Sequence, residues 1–211
     1  MFLPNPGIMA AGSGEAAPGQ QLFLASGSFV IPDFVQFVSA VCIQPGEEGV
    51  RSGGVNMGGK GGDLAYRNNI PVTPGEVLTV LVSAGRAQLA RGNGQPLVDT
   101  STAVSDQIRN LGGERGASQQ NGAAGSGAAG FTGPGTRGGS SVNSSGGGGT
   151  SPYGGGPGAQ AGVSSSRDGM NYGGGGGRSV SLGGAGGAGC VRLIWGEGRA
   201  FPNTNTGDVT A

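Results

Sequence analysis

Cys190-Val191-Arg192-Leu193-Ile194-Trp195 and Phe34-Val35-Gln36-Phe37-Val38-Ser39-Ala40-Val41-Cys42-Ile43 are the two stretches that decide the fold. The first alternates: Val191, Leu193 and Trp195 fall on one face of an extended chain, and Cys190, Arg192 and Ile194 fall on the other. The second is apolar on both faces, the mark of a strand buried from two sides. Pro32-Asp33 breaks the apolar block of residues 21–45, which therefore reads as two strands joined by a tight connection. Ile70-Pro71-Val72-Thr73, a Pro74-Gly75 turn and Val77-Leu78-Thr79-Val80-Leu81-Val82 read as a further strand pair. Residues 46–69 read as a glycine-bearing loop, and Thr100 to Leu111 as a short helix or a weak strand.

What separates these strands is unusual. From Gly112 to Gly189 the chain is about 40% glycine, against roughly 7% in average proteins. The whole chain of 211 residues holds 51 glycines. Composition alone predicts disorder, because ordering glycine costs the most backbone entropy. Strands that need each other flank the block, however, and a structureless loop of such length inside a domain is improbable. Its glycines recur at short spacings: Gly127, Gly130 and Gly133, then Gly146–Gly149, Gly154–Gly156 and Gly173–Gly177. A polyproline II helix has three residues per turn, so such spacing bares faces where backbones can approach and exchange hydrogen bonds. Collagen is the wrong alternative, since the triplet register breaks repeatedly and proline is sparse.

The expected fold is therefore all-β: a small antiparallel β-sandwich or sheet, with a glycine-rich insertion packed as polyproline II helices. The expected organisation is an N-terminal arm (1–20), the first part of a β-scaffold (21–111), the glycine-rich region (112–189), and a closing strand with a C-terminal tail (190–211). If residues 34–43 and 190–195 pair antiparallel, Cys42 comes close to Cys190. The pair then reads as buried thiols or as a disulfide. Trp195 is the expected anchor of the small core.

Charge and composition narrow the function. Twelve basic and twelve acidic residues balance, which argues against a nucleic-acid partner. Histidine is absent, which removes the commonest general base and the commonest metal ligand. No apolar run approaches the roughly 20 residues of a membrane helix. Met1-Phe2-Leu3-Pro4-Asn5-Pro6 lacks the basic and apolar regions of a secretory signal and suggests an extended arm. Gly53 to Lys60 has the spacing of a phosphate loop, but Gly61 stands where a Ser or Thr must hold magnesium. Glu47-Glu48 has no identifiable acid partner. No enzyme, cofactor or metal is expected. Within the glycine block, Phe131, Arg137, Tyr153, Arg167, Tyr172 and Arg178 are too large to sit between close-packed helices. They belong at a surface or at connecting tips, where Tyr and Arg suit receptor or partner contact; the alternative is that some of them pack on the strand domain or in a subunit interface.

Several of these motifs occur in a telling order. Phe29-Val30-Ile31-Pro32 precedes a Val-rich strand. Asn69-Ile70-Pro71-Val72-Thr73-Pro74-Gly75 precedes Leu78-Thr79-Val80. Gly186-Gly187-Ala188-Gly189 runs into Cys190–Trp195, then Gly198-Arg199-Ala200-Phe201-Pro202 and Asn205-Thr206. This order, over roughly residues 27–207, resembles the glycine-rich domains of tailed-bacteriophage fibre and adhesin proteins, notably those of marine and cyanobacterial phages. The resemblance implies a virion structural protein of the tail or fibre apparatus, adhesin-like, binding a host receptor or another virion protein. A capsid decoration protein on the phage head is the alternative. Other virion proteins are the expected partners. A homo-oligomer, with a trimer favoured, would add buried area to a core poor in large apolar residues.

Overall fold

The computed structural model describes residues 16–52, 55–57, 59–110, 172–176, 184–202 and 204–209. Eleven strands run through them, and no helix occurs among the described residues. Five build one antiparallel sheet: β1 (Gly19–Phe23), β11 (Cys190–Trp195), β3 (Phe37–Ile43), β6 (Leu64–Pro71) and β10 (Ile108–Asn110), in that spatial order. Four build a second: β2 (Gly27–Val30), β7 (Val77–Ser83), β8 (Arg86–Arg91) and β9 (Pro96–Asp99). A short hairpin, β4 (Val50–Ser52) with β5 (Val55–Met57), stands apart from both. The expected all-β sandwich is what the chain forms.

The two deciding stretches lie side by side. β11 pairs antiparallel with β3, from Cys190 opposite Ile43 to Ile194 opposite Ser39. Both are interior strands, and β3 is buried from Val38 to Ile43. The alternation along β11 sorts its side chains as the sequence predicts. Val191 and Leu193 face the space between the sheets, where they meet Val38, Ala40, Cys42, Ile70, Leu78 and Leu89. Cys190 and Ile194 face outward into a second apolar cluster with Val41, Ile43, Leu64, Tyr66 and Phe201. Each fully buried Leu or Ile in these clusters contributes about 1.5–3 kcal/mol. Trp195 is half-buried at the rim of the inner core, with its ring 5.6 Å from that of Phe29.

Polar knots hold the connections. Arg192, fully buried, donates to the Thr206 carbonyl and the Asp208 carboxylate, both at 2.7 Å. Arg199 donates to the carbonyls of Asn205, Gly19 and Gly207. These bonds lay residues 196–202 and 204–209 over the outer face of the first sheet. Phe201 of this tail covers the second cluster.

Three expectations need correction. Residues 64–69 are not loop: they open β6, whose Leu64 and Tyr66 enter the outer cluster while Ala65 enters the core. Glycines just before them hid this alternation. The Pro74-Gly75 turn does not join a hairpin. It carries the chain from β6 in one sheet to β7 in the other. The strand expected from Phe34 begins only at Phe37, because Phe34 takes a left-handed backbone (φ 66°) in the turn before it.

Candidate functional site

Glycine-bearing segments project from one end of the sandwich. β3 ends there at Ile43, β6 starts there at Leu64, and β11 starts there at Cys190. Four stretches meet beyond that end: residues 44–49, 59–63, 172–176 and 184–189. None of them forms a β-ladder, yet all are tied by backbone hydrogen bonds.

The pattern of those bonds identifies the conformation. Gln44 and Glu47 donate to Asp63 and Lys60 of the second segment, at 2.9 and 2.8 Å. Gly46 and Gly49 donate to Gly187 and Gly184 of the fourth, both at 2.9 Å. Gly62 and Gly59 donate to Gly173 and Gly176 of the third, both at 2.8 Å. Along the first and second segments, donors to one neighbour recur every third residue. A β-strand repeats every second residue and has two edges. The first segment bonds three neighbours, because Glu47 also accepts from Gly176 at 2.9 Å. A three-residue period with more than two bonded sides fits packed polyproline II helices; Tyr172 and Gly173, at φ 71° and 83°, form the turn that leads into the third segment. The bond order makes the first and third segments parallel to each other and antiparallel to the second and fourth.

Glycine is required by the separation of the backbones. A β-carbon added at Gly59 would lie 2.6 Å from the Glu47 carbonyl carbon, and one at Gly62 would lie 2.9 Å from that of Gln44. One at Gly176 would lie 2.6 Å from the Gly184 carbonyl carbon, and one at Gly189 would lie 2.6 Å from the Pro45 nitrogen. Such approaches leave no room for a side chain. The crowded glycines again stand three apart: 59 and 62, 173 and 176, 186 and 189. Pro45 fits the array because its missing N–H falls between the two donor rows, 44 with 47 and 46 with 49.

The chain from 111 to 171 departs from this same end. It leaves after β10, whose Asn110 pairs with Leu64, and returns at Tyr172. The departure point is secured by Asp99, a fully buried carboxylate. Arg86 donates to it at 2.6 Å, Gln88 at 3.0 Å, and the Ser101 amide and hydroxyl at 2.8 and 2.9 Å. Burial alone would raise its pKa, but the hydrogen bonds from Arg86 and Ser101 outweigh that and hold it below the ordinary value. Gln107 bonds the Asp99 amide and carbonyl, and Arg109 bonds the Thr100 carbonyl.

Of the residues singled out for contact, Phe131, Arg137, Tyr153, Arg167 and Arg178 lie outside the described residues. Tyr172 is half-buried at the foot of the array, against the outer cluster, and its amide donates to Ala188 at 2.6 Å. Cys42 and Cys190 are thiols, not halves of a disulfide. Their strands do pair, but Cys42 stands opposite Val191 and Cys190 opposite Ile43. That one-residue offset sends the two thiols to opposite faces of the sheet. Burial pushes both thiols up, Cys190 to about 12. No cluster of three or more metal-ligating side chains occurs among the described residues. The segments that sequence reasoning missed are 44–49 and 59–63. Their signal was the i, i+3 glycine pairs Gly46/Gly49 and Gly59/Gly62 on either side of the hairpin.

The chain is thus an all-β sandwich extended at one end by a hydrogen-bonded glycine array. No protein-family model and no curated protein matches it.

Proposed function

We propose that the chain is a virion structural protein of a tailed bacteriophage, part of the tail or fibre apparatus, that acts by recognition. One observation carries the reading. The glycine array grows from the same end of the sandwich at which residues 111–171 leave and return. Those residues hold Phe131, Arg137, Tyr153 and Arg167, side chains that give large contact area for modest entropy cost. Backbone-to-backbone bonding makes the array a stiff base, and a stiff base lowers the ordering cost of binding. In this reading the contact residues meet a host receptor or a neighbouring virion protein, and the sandwich anchors them.

Immunogold labelling of purified virions tests the location. Label on tails or fibres is the expected result, and label confined to heads would overturn it. Adsorption tests the role. The isolated protein should bind host cells or a purified tail component, and combined replacement of Tyr153 and Arg167 by alanine should weaken that binding with the thermal midpoint unchanged. Equal binding by both proteins would remove these residues from the contact.

A further inference from the structure

The opposite end of the sandwich carries a feature that the glycine array does not use. An open groove of about 900 Å³ lies there, within the roughly 300–1,000 Å³ of clefts that enclose small ligands or several side chains. Phe34 lines it from the turn before β3, Phe37 from the first residue of β3, Asn69 from β6, Trp195 from the end of β11, and Thr204 from the tail. Phe34 and Phe37 are 62% and 56% exposed. Val30 and Val77, opposite each other on β2 and β7, add exposed apolar surface at this end. The left-handed backbone of Phe34 is rare for a bulky residue. It turns that ring out of the core, while its neighbour Val35 stays buried.

Ala16, the first described residue of the chain, is itself part of the lining. The fifteen residues before it therefore start at the groove. They contain Phe2, Leu3, Ile8 and Met9, the prolines Pro4 and Pro6, and a single charge, Glu15. Proline-bearing extended segments lose little entropy on docking into aromatic-lined grooves. Gly7, Gly12 and Gly14 let such a segment turn back on itself. A tethered segment acts at an effective concentration in the millimolar range, so it outcompetes a second molecule present at micromolar concentration. We propose that residues 2–9 of the same chain occupy this groove, setting their apolar side chains against Phe34, Phe37 and Trp195.

Trp195 is the one tryptophan of the chain and so reports on its own groove. Acrylamide quenching of its fluorescence would be measured on the full chain and on two variants, Phe2→Asp with Leu3→Asp and Ile8→Asp with Met9→Asp. Occupancy requires that at least one variant show faster quenching and red-shifted emission, with an unchanged thermal midpoint. In the parent the protection should not depend on protein concentration. Identical quenching in all three proteins would overturn the proposal. So would protection that is lost on dilution, because the groove would then hold the arm of a second copy.

Discussion

Replacing Gly62 by alanine probes the array at one atom. The added β-carbon would lie 2.9 Å from the Gln44 carbonyl carbon, nearer still to its oxygen, and 3.2 Å from the Gly173 α-carbon. Both obstacles are backbone, so no side chain can swing aside. The first or third segment must move, and overpacking of this kind costs about 1–3 kcal/mol. That movement strains the bonds from Gln44 to Asp63 and from Gly62 to Gly173, now 2.9 and 2.8 Å. Each is worth about 0.5–1.5 kcal/mol. Alanine returns about 0.4–1 kcal/mol by restricting the unfolded chain. These terms sum to roughly 1–6 kcal/mol, and the middle of that range, a net loss of roughly 2–4 kcal/mol, is the expected value. At about 2–4 °C per kcal/mol for a chain of this size, the thermal midpoint should fall by roughly 4–16 °C. Gly207→Ala is the control, since a β-carbon there meets nothing within 4 Å; it should leave the midpoint unchanged or slightly raised. Urea and thermal unfolding of the three proteins measure the difference. If Gly62→Ala and Gly207→Ala were equally stable, the close approach described for the array would be refuted.

Asp99→Ala strands Arg86, Gln88 and Ser101 around an empty site and should cost about 2–4 kcal/mol in urea unfolding, with the half-exposed Arg86 keeping the loss below that of a fully buried pair. The folded carboxyl titrates below its ordinary 3.8, so its contribution is complete above about pH 5 and drains away as pH falls through 3.8 toward the folded value; Asp99→Asn should flatten that part of the acid limb in pH-dependent unfolding. The thiols should resist alkylation at pH 8 in the native protein and both react in denaturant, because burial keeps them protonated. The same burial gives an alkaline signature. The unfolded Cys190 ionises from its ordinary 9.0 while the folded one holds its proton to about 12, so stability should decline between those values and Cys190→Ser should reduce the slope.

The sandwich was legible where side chains alternate. Val191, Leu193, Cys190 and Ile194 went to the faces their order dictates, because one face of β11 meets the other sheet and the opposite face meets the tail. The doubly apolar run from Val38 to Ile43 could only be an interior strand. Partner sheets were less legible. Pro74-Gly75 makes the same local turn whether the chain doubles back or crosses to another layer, and only the packing of Leu78 and Val80 against Val38 and Ile70 decides it. The array was half legible. A three-residue glycine spacing announces close helices, but it does not name the neighbours. Residues 44–49 and 59–63 carry only two such glycines each, too short a run to stand out beside the dense block that follows. The cysteine question turned on register, which composition does not encode: one residue of offset separates a pair that could bond from a pair on opposite faces.

The central claim is that backbone bonds, repeated every third residue, hold the glycine segments together. Residue-resolved hydrogen exchange by NMR measures it most directly. The amides of Gln44 and Glu47, of Gly46 and Gly49, of Gly59 and Gly62, and of Gly173 and Gly176 should all be protected, each pair three residues apart. Rapid exchange through these segments while β3 and β11 stay protected, or protection alternating every second residue as in a β-ladder, would contradict it.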